Sequence, residues 1–458
     1  LTRPKRAILI AILFVSVVLR AGVALYLGDV VDAPPLLTDQ RSYHALGERL
    51  VAGYGFSFDR NWYPFTTANE PTAHWSFLYS LFVAAVYAVA GPHPLAVRLV
   101  QAILGGILLP WLVYRLARRA LPAAGERVAL LSAAIAAIYL YFVLYAATLM
   151  TETFFICAVL WSLERALALD ERLRAAGGPF PAGLAASLGV ALGLATLLRQ
   201  SILPWAALLL AFLLWRAWQA RRLRPAAASA ALAAAVIALF VAPFTLRNAL
   251  VYGQFLLLNS NAGYAMYSAQ HPLHGTSFQE FAAAPLPPGL WGRPEPELDR
   301  ELMRLGVQFV LDDPGRYLLL SLSRVRAYFE FWPTPDTTLL HNAGRTGSFG
   351  LFLPFMLYGL FLSARRRAPG SGLSIVYLFV AFYSVLHVFT WAMVRYRLPV
   401  DAVLVVFAAV GLADLYTRGA ALATHAHWTA ASGEQGAEGA LRSLFLALGR
   451  LRNPGAGN

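Results

Sequence analysis

The sequence predicts an all-α polytopic membrane protein that crosses a bilayer about ten times, and three observations predict it. Apolar residues make up 59% of the 458 and charged residues only 13%, where a soluble domain carries about a quarter charged. The apolar residues come in runs long enough for a bilayer core, which takes ~20 residues of helix. The arginines gather in the short breaks between those runs, as they do in cytoplasmic loops. That placement also accounts for the formal net charge of +13, so nucleic acid is not an expected partner. The single cysteine, Cys157, lies in an apolar run, which excludes an internal disulfide and a cysteine metal site. Lys5 is the sole lysine, which with the Ala and Gly load points to a GC-rich bacterial genome.

Residues 7–27 follow Arg3, Lys5 and Arg6 and are read as a retained first span, long for a signal peptide and without a clear small-residue cleavage site. Arg20 within it either snorkels toward the outer face or faces the bundle interior. Two apolar stretches then compete. If both 74–90 and 95–116 cross, Arg115, Arg118, Arg119 and Arg127 fall outside and every later basic loop is inverted. If 72–90 lies along the interface instead, those arginines fall inside. So do Arg165, Arg172, Arg174, Arg216, Arg221, Arg222, Arg224, Arg365, Arg366, Arg367 and Arg418. The positive-inside rule selects the second arrangement at every loop, so 72–90 is a juxtamembrane helix on the outer side.

The remaining spans are then 95–116, 128–147, 152–168, 182–198, 202–218, 226–246, 349–363, 373–392 and 398–416, with both termini cytoplasmic. Residues 1–417 form one transmembrane domain. It has a first outer loop at 28–94 carrying the juxtamembrane helices and a long outer segment at 247–347. A weakly ordered cytoplasmic tail follows at 418–458. In the outer segment a helical pattern over 297–311 ends at Pro314-Gly315, and an interfacial helix follows at 317–332.

Charge is scarce, so its concentration in residues 37–74 marks the stretch where chemistry or polar binding is expected. Asp39 is its centre. It suits a helix cap for 40–50, but Arg41, Tyr43 and His44 stand beside it, as a site would require. Glu152 opens a span with Thr151 as its cap, a role compatible with function. Against the charge trend, Arg41, Arg49 and Arg60 lie outside, as do Arg199, Arg247, Arg395 and Arg397 at span ends. Any one of the last four suits an interface anchor. Four on one side favour an anionic ligand, because a guanidinium grips phosphate bidentately and keeps its charge. His271 and His274 lack a further close Cys or carboxylate and are read as surface residues. No Gly-rich phosphate loop follows a strand, so a soluble nucleotide-sugar domain is not expected.

Several of these residues recur in an order that resembles a known family. They are Asp39 with Tyr43, Glu70-Pro71, Gly91 through Arg98, Arg118-Arg119, and Pro243 to Asn248 with Gly253. Asn261 with Gly263 and Arg395-Tyr396-Arg397-Leu398-Pro399 complete the order. It resembles the multi-span GT-C glycosyltransferases, in particular glycosyltransferase family 39. That group includes protein O-mannosyltransferases and the lipid A aminoarabinose transferase, and the likeness covers the chain to about Thr417. Gln40 stands where the family often has Glu, Glu152 where its second acid is often Asp, and Pro71-Thr72 where Pro-Pro is usual.

The resemblance implies a GT-C-like bundle that moves a sugar from a polyprenyl-phosphate donor to an acceptor hydroxyl. The acceptor is a glycan, a lipid or a protein. The place is the outer, periplasmic face of a bacterial cytoplasmic membrane. It implies Asp39 as general base and Glu152 at the second acidic position. Arg199, Arg247, Arg395 and Arg397 are its candidates for the phosphate. Arg41, Tyr43, Glu70, His74, Asn248 and Tyr396 are its candidates for the donor or acceptor pocket. With the phosphate neutralised by arginine, no metal or other cofactor is required. The rival readings are a transporter or flippase, and a polymerase or ligase, of lipid-linked glycans. The first is disfavoured because the sequence shows no pair of broken spans in matching halves.

Overall fold

The computed structural model describes residues 2–31, 39–62, 64, 66–175, 180–279, 282, 284–335, 337–365 and 371–431. Each expected span is helical, because a bilayer core leaves the backbone no hydrogen-bond partners but its own. In chain order the helices begin with α1 (Arg3–Leu27), α2 (Asp39–Val51), α3 (Phe77–Ala90), α4 (Pro94–Ala120), α5 (Gly125–Ile138) and α6 (Leu140–Ala146). Next come α7 (Glu152–Arg174), α8 (Ala182–Leu198), α9 (Leu203–Gln219), α10 (Leu223–Tyr252) and α11 (Ala262–Gln270). The last are α12 (Glu295–Asp312), α13 (Pro314–Tyr328), α14 (Leu339–Arg345), α15 (Leu351–Arg365), α16 (Leu373–Phe389) and α17 (Val394–Ala431). Among the described residues the only strand-like pairings are two isolated antiparallel bridges, Ser57 with Pro71 and Trp62 with Thr66.

Six helices are long and apolar enough to cross a membrane: α1, α4, α9 with the turn before it, α10, α14 running into α15, and α17. The pair α5–α6, bent by 55°, makes a seventh if it is one span. The other expected spans are helical but less plain. α8 and α16 have 17 residues each, and α7 carries Glu152, Glu164, Arg165 and Asp170. By length and composition six helices, or seven with the bent pair, can cross among the described residues, so the expected count of ten is not reached on that measure. The juxtamembrane helix starts at Phe77, later than expected, and its 14 residues reach about 21 Å, too short to cross. α17 runs on to Ala431. Asp32, Arg366, Arg367 and residues 432–458 lie outside the described residues.

Arg20 does not snorkel. It is fully buried, and its guanidinium donates to the carbonyls of Ala136 (3.2 Å) and Ala137 (2.9 Å). Those carbonyls lie in the last turn of α5, where the break before α6 leaves them without intrahelical donors. At the bundle end that holds the C-termini of α4, α7 and α9, the arginines expected to set topology also have partners on α7. Glu164, 2% exposed, takes Arg115, Arg119 and Arg165. Asp170 takes Arg216 (2.8 Å) and Arg174 (2.7 Å).

In the 247–347 segment, α11 and α12 cross so closely that a Cβ on Gly263 would lie 1.9 Å from the Asp299 carbonyl oxygen. The backbone N–H of Gly263 donates to Asp299 at 2.7 Å. His274 is not a surface residue, and His271 is half-buried. His274 is buried, its Nε2 2.9 Å from the Ser268 carbonyl. The His271 ring accepts from the Leu273 N–H at 3.1 Å. Within the helix expected to lie in the interface, Arg324 turns inward, is fully buried, and donates to Ala269 O and to Gln270 (2.9 Å).

Burial pushes the Asp299 carboxyl up to about 6, with the charge of Glu295 adding to the rise and the Gly263 N–H opposing it. A carboxyl raised on folding contributes stability that is present at low pH and lost as pH rises from about 4 through about 6. The protein should thus melt at a lower temperature at pH 7.5 than Asp299→Asn does, and the two should converge only below about pH 4. Identical pH profiles for the two proteins would show that Asp299 is not under this strain.

Candidate active site

Asp39 is the first residue of α2, and its place is fixed by its neighbour. Gln40 is 1% exposed. Its Oε1 accepts from Arg98 Nη2 (3.1 Å) and from the N–H of Leu149 (3.0 Å), which ties α2 to α4 and to the turn before α7. Arg98, fully buried, also donates to Gly28 O and Val30 O (2.7 Å) beyond the C-terminus of α1. The Gln40 amide is therefore a buried tether, and its oxygen accepts two donors without adding a charge to the interior.

From this tether Asp39 meets Arg395, at the start of α17, with Oδ2 2.7 Å from Nη1. Arg395 Nη1 also lies 3.9 Å from Glu152 Oε1 at the start of α7. Glu152, 2% exposed, takes Arg199 Nη2 at 2.5 Å. Arg199 follows α8, and its Nε donates to Thr151 Oγ1 at 3.0 Å. Thr151 is therefore not the cap expected for α7: its side chain makes no cap bond to the helix. The ring of Tyr396 faces both guanidiniums, at 5.1 Å from each, and stacks on His387 at 4.9 Å. Four elements distant in sequence thus bring together two arginines, two carboxylates and an aromatic shelf. Tyr43 lies beside them, buried edge-on against Tyr79 at 4.7 Å.

Burial would raise the Asp39 carboxyl, but the charge and hydrogen bond of Arg395, with the charges of Arg199 and His74, hold it below the usual carboxylate range. The Tyr43 phenol is pushed up, first by burial and then by Asp39. Burial lowers the His74 imidazole against the opposing charges of Glu295 and Asp39.

Residues 71–75, which carry His74, are non-helical and are held by two backbone bonds, Thr72 N–H to Phe56 O and Ser260 N–H to Ala73 O, and by side chains from elsewhere. Tyr252 donates to Pro71 O (2.9 Å), Arg247 to Thr72 O (3.1 Å) and Asn261 to His74 O (3.1 Å). Asn259 donates to the carbonyls of Ala73 (3.0 Å) and Trp75 (2.7 Å). Glu295, at the head of α12, accepts from Ala73 N–H (2.8 Å), Ser260 (2.7 Å) and Thr66 (3.0 Å). Gln200, next to Arg199, joins Asn259 and Asn261 at 2.9 and 2.8 Å. This clamp is why the juxtamembrane helix begins late.

The expected site residues therefore divide. Asp39, Glu152, Arg199, Arg395 and Tyr396 converge, with Tyr43 and His74 beside them. Arg247 belongs to the clamp, and Asn248, fully buried, donates to Leu256 O and Leu258 O (2.8 Å). Arg397 is fully buried in a pair with Asp401 at 2.9 Å and donates to Tyr328 O at 2.6 Å. Arg41 and Glu70 are exposed. Glu295 is the site neighbour the sequence hid, one acid among several in a Pro-rich stretch. Among the described residues, no three His, Cys, Asp or Glu side chains are grouped so as to hold a metal ion.

Residues 74–246 match the sequence profile of the dolichyl-phosphate-mannose-protein mannosyltransferase family. No curated protein sequence matches the chain. Among solved structures, the apo oligosaccharyltransferase of Archaeoglobus fulgidus superposes with a TM-score of 0.58 at 18% identity, over 97% of this chain and 54% of that one. The oligosaccharyltransferase AglB of the same archaeon, in complex with an inhibitory peptide and a dolichol-phosphate, gives 0.53 at 14%, over 97% and 54%. ArnT from Cupriavidus metallidurans, bound to undecaprenyl phosphate, gives 0.51 at 15%, over 88% and 59%. The shared architecture is the helical GT-C fold. The chain spans between half and three fifths of the length of these three structures.

Removing the Glu295 carboxylate leaves the Ala73 N–H and the Ser260 hydroxyl buried without an acceptor, at a cost of about 1–3 kcal/mol. Glu295→Ala should lower the melting temperature and open residues 66–75 to proteolysis, while Glu295→Gln recovers part of both. A wild-type cleavage pattern in Glu295→Ala would show that the clamp does not depend on it.

Proposed function

We propose that this protein is a glycosyltransferase that moves a sugar from a polyprenyl-phosphate donor to an acceptor hydroxyl. The place of the reaction is the outer face of a bacterial cytoplasmic membrane, with Asp39 as general base. The observation that carries this reading is the convergence of Arg199 and Arg395 on Asp39 and Glu152 at one end of a membrane bundle. The family profile over residues 74–246 supports it. So do two solved structures that share the fold, one in complex with dolichol-phosphate and one bound to undecaprenyl phosphate.

In this reading the guanidiniums of Arg199 and Arg395 hold the phosphate. Glu152 holds both guanidiniums in place, and Tyr396 backs them. Asp39 accepts the proton of the acceptor hydroxyl as its oxygen bonds to the anomeric carbon. The bond from that carbon to the phosphate oxygen breaks, and its electron pair leaves with the polyprenyl phosphate. His74 and Tyr43 border the acceptor side, with Arg41 and Glu70 at the exposed rim. Arg247, Asn248 and Arg397 hold the frame. The acceptor is a glycan, a lipid or a protein hydroxyl.

Asp39→Asn keeps the shape of the side chain and removes the proton acceptor. It should reduce sugar transfer at least ~10²-fold, with a melting temperature close to wild type. Turnover at the wild-type rate would end the case for Asp39 as base. Orientation has its own test. A cysteine at Ala52 should react with an impermeant thiol reagent added outside intact cells, and one at Ala123 should not. Both positions are exposed, whereas Cys157 is buried. Labelling at Ala123 alone would turn the protein over in the membrane.

A further inference from the structure

The charges that face one another at the site cancel. Arg199 and Arg395 bring two positive charges, and Asp39 and Glu152 bring two negative ones. The other titratable groups turned toward Asp39 and Arg395 are the His74 imidazole and the Tyr43, Tyr145 and Tyr396 phenols, and a phenol is neutral near pH 7. A phosphate added to such a set gains little from either arginine while a carboxylate a few ångströms away offsets its field. One pair must give way.

Four observations identify which. Arg199 is held twice, by Glu152 at 2.5 Å and by Thr151 at 3.0 Å. Glu152 is 2% exposed, so withdrawing Arg199 would leave a buried carboxylate poorly paired. Asp39 keeps 36% of its side chain exposed, so water can replace the guanidinium there. Arg395, in addition, has a buried Nε with no acceptor of its own.

We propose that a phosphate-bearing lipid binds here by partner exchange. Its phosphate takes Arg395 from Asp39, and the carboxylate is thereby released to act as a base. The proposal rests on the lipid-phosphate reading above and adds an order to it. While Arg395 sits on Asp39, the carboxylate is a poor proton acceptor, so it does not activate water or a stray hydroxyl. Once the phosphate holds Arg395, Asp39 loses its counter-charge and its basicity rises at the moment the sugar is in position. Asp39 is then first a competitor of the phosphate and afterwards the base for the acceptor.

The test is equilibrium binding of undecaprenyl phosphate to the full chain in nanodiscs at pH 8 and low salt. Wild type, Asp39→Asn and Asp39→Ser are compared, each checked by its melting curve. Exchange predicts that both variants bind about tenfold more tightly than wild type, because a unit charge that competed for Arg395 has gone. Equal or weaker binding in both overturns it. A polyprenyl phosphodiester, which carries one charge throughout, gives the second arm. Its affinity for wild type should rise as pH falls through and below the usual carboxylate range, from about 5 to about 3, because protonation of Asp39 also frees Arg395, and should change less in Asp39→Asn. A flat wild-type profile overturns the exchange. The readout is binding, so these failures leave the role of Asp39 in turnover standing. Absence of binding to all three proteins overturns the lipid-phosphate reading, and the exchange with it.

Discussion

A guanidinium inside a helical bundle must be given acceptors, and much of this structure follows from how that is done. Among the described residues the four arginines that are fully buried are Arg20, Arg98, Arg324 and Arg397. Each points at backbone carbonyls at a helix C-terminus. Arg20 reaches the end of α5, Arg98 the end of α1, Arg324 the end of α11 and Arg397 the end of α13. Helix ends leave carbonyls without donors and carry the negative pole of the helix dipole, so each meets a need of the other. A forked, planar side chain bridges two or three such carbonyls where an ammonium could not.

The two arginines of the site are different in kind. Arg199 and Arg395 reach carboxylates, a hydroxyl and the ring of Tyr396 rather than the carbonyls of a finished helix. Their partners can therefore be exchanged without unravelling secondary structure. The clamp around residues 71–75 ties the same region to the 247–347 segment, because Gln200 and Arg199 are neighbours with opposite duties. One fastens the clamp and the other faces the charges. The 247–347 segment, through Glu295, Asn259 and Asn261, is thus part of the frame of the site rather than an appendage.

Helicity was legible in the sequence, since hydropathy and charge placement report directly on burial in a bilayer, but several helix boundaries were not. Five of the expected site residues, Asp39, Glu152, Arg199, Arg395 and Tyr396, do come together. Arg247 and Arg397 share the same signal, an arginine at the same side of a span, but side of the membrane does not say which way a side chain turns. For Arg397 a further signal was present. Asp401 lies four residues on, one helical turn away inside an apolar run, which marks an internal ion pair. Glu295 and Gln40 carried no such mark. Their importance comes from donors 222 and 109 residues distant in the chain, which local pattern does not reach.

Those separations bear on how the protein is made. The Asp39–Arg395 pair joins residues 356 apart. At ribosomal rates of about 5–20 residues per second, Asp39 waits roughly 20 to 70 s for its partner. The clamp closes earlier, once Glu295 has emerged, so the first loop is shaped before the charges are balanced. During that interval Asp39 lacks this partner, while Arg395 is made only after Asp39 and Glu152. The order of synthesis thus spares the membrane an isolated guanidinium at the site, and makes the assembled site one of the last features of the chain to form.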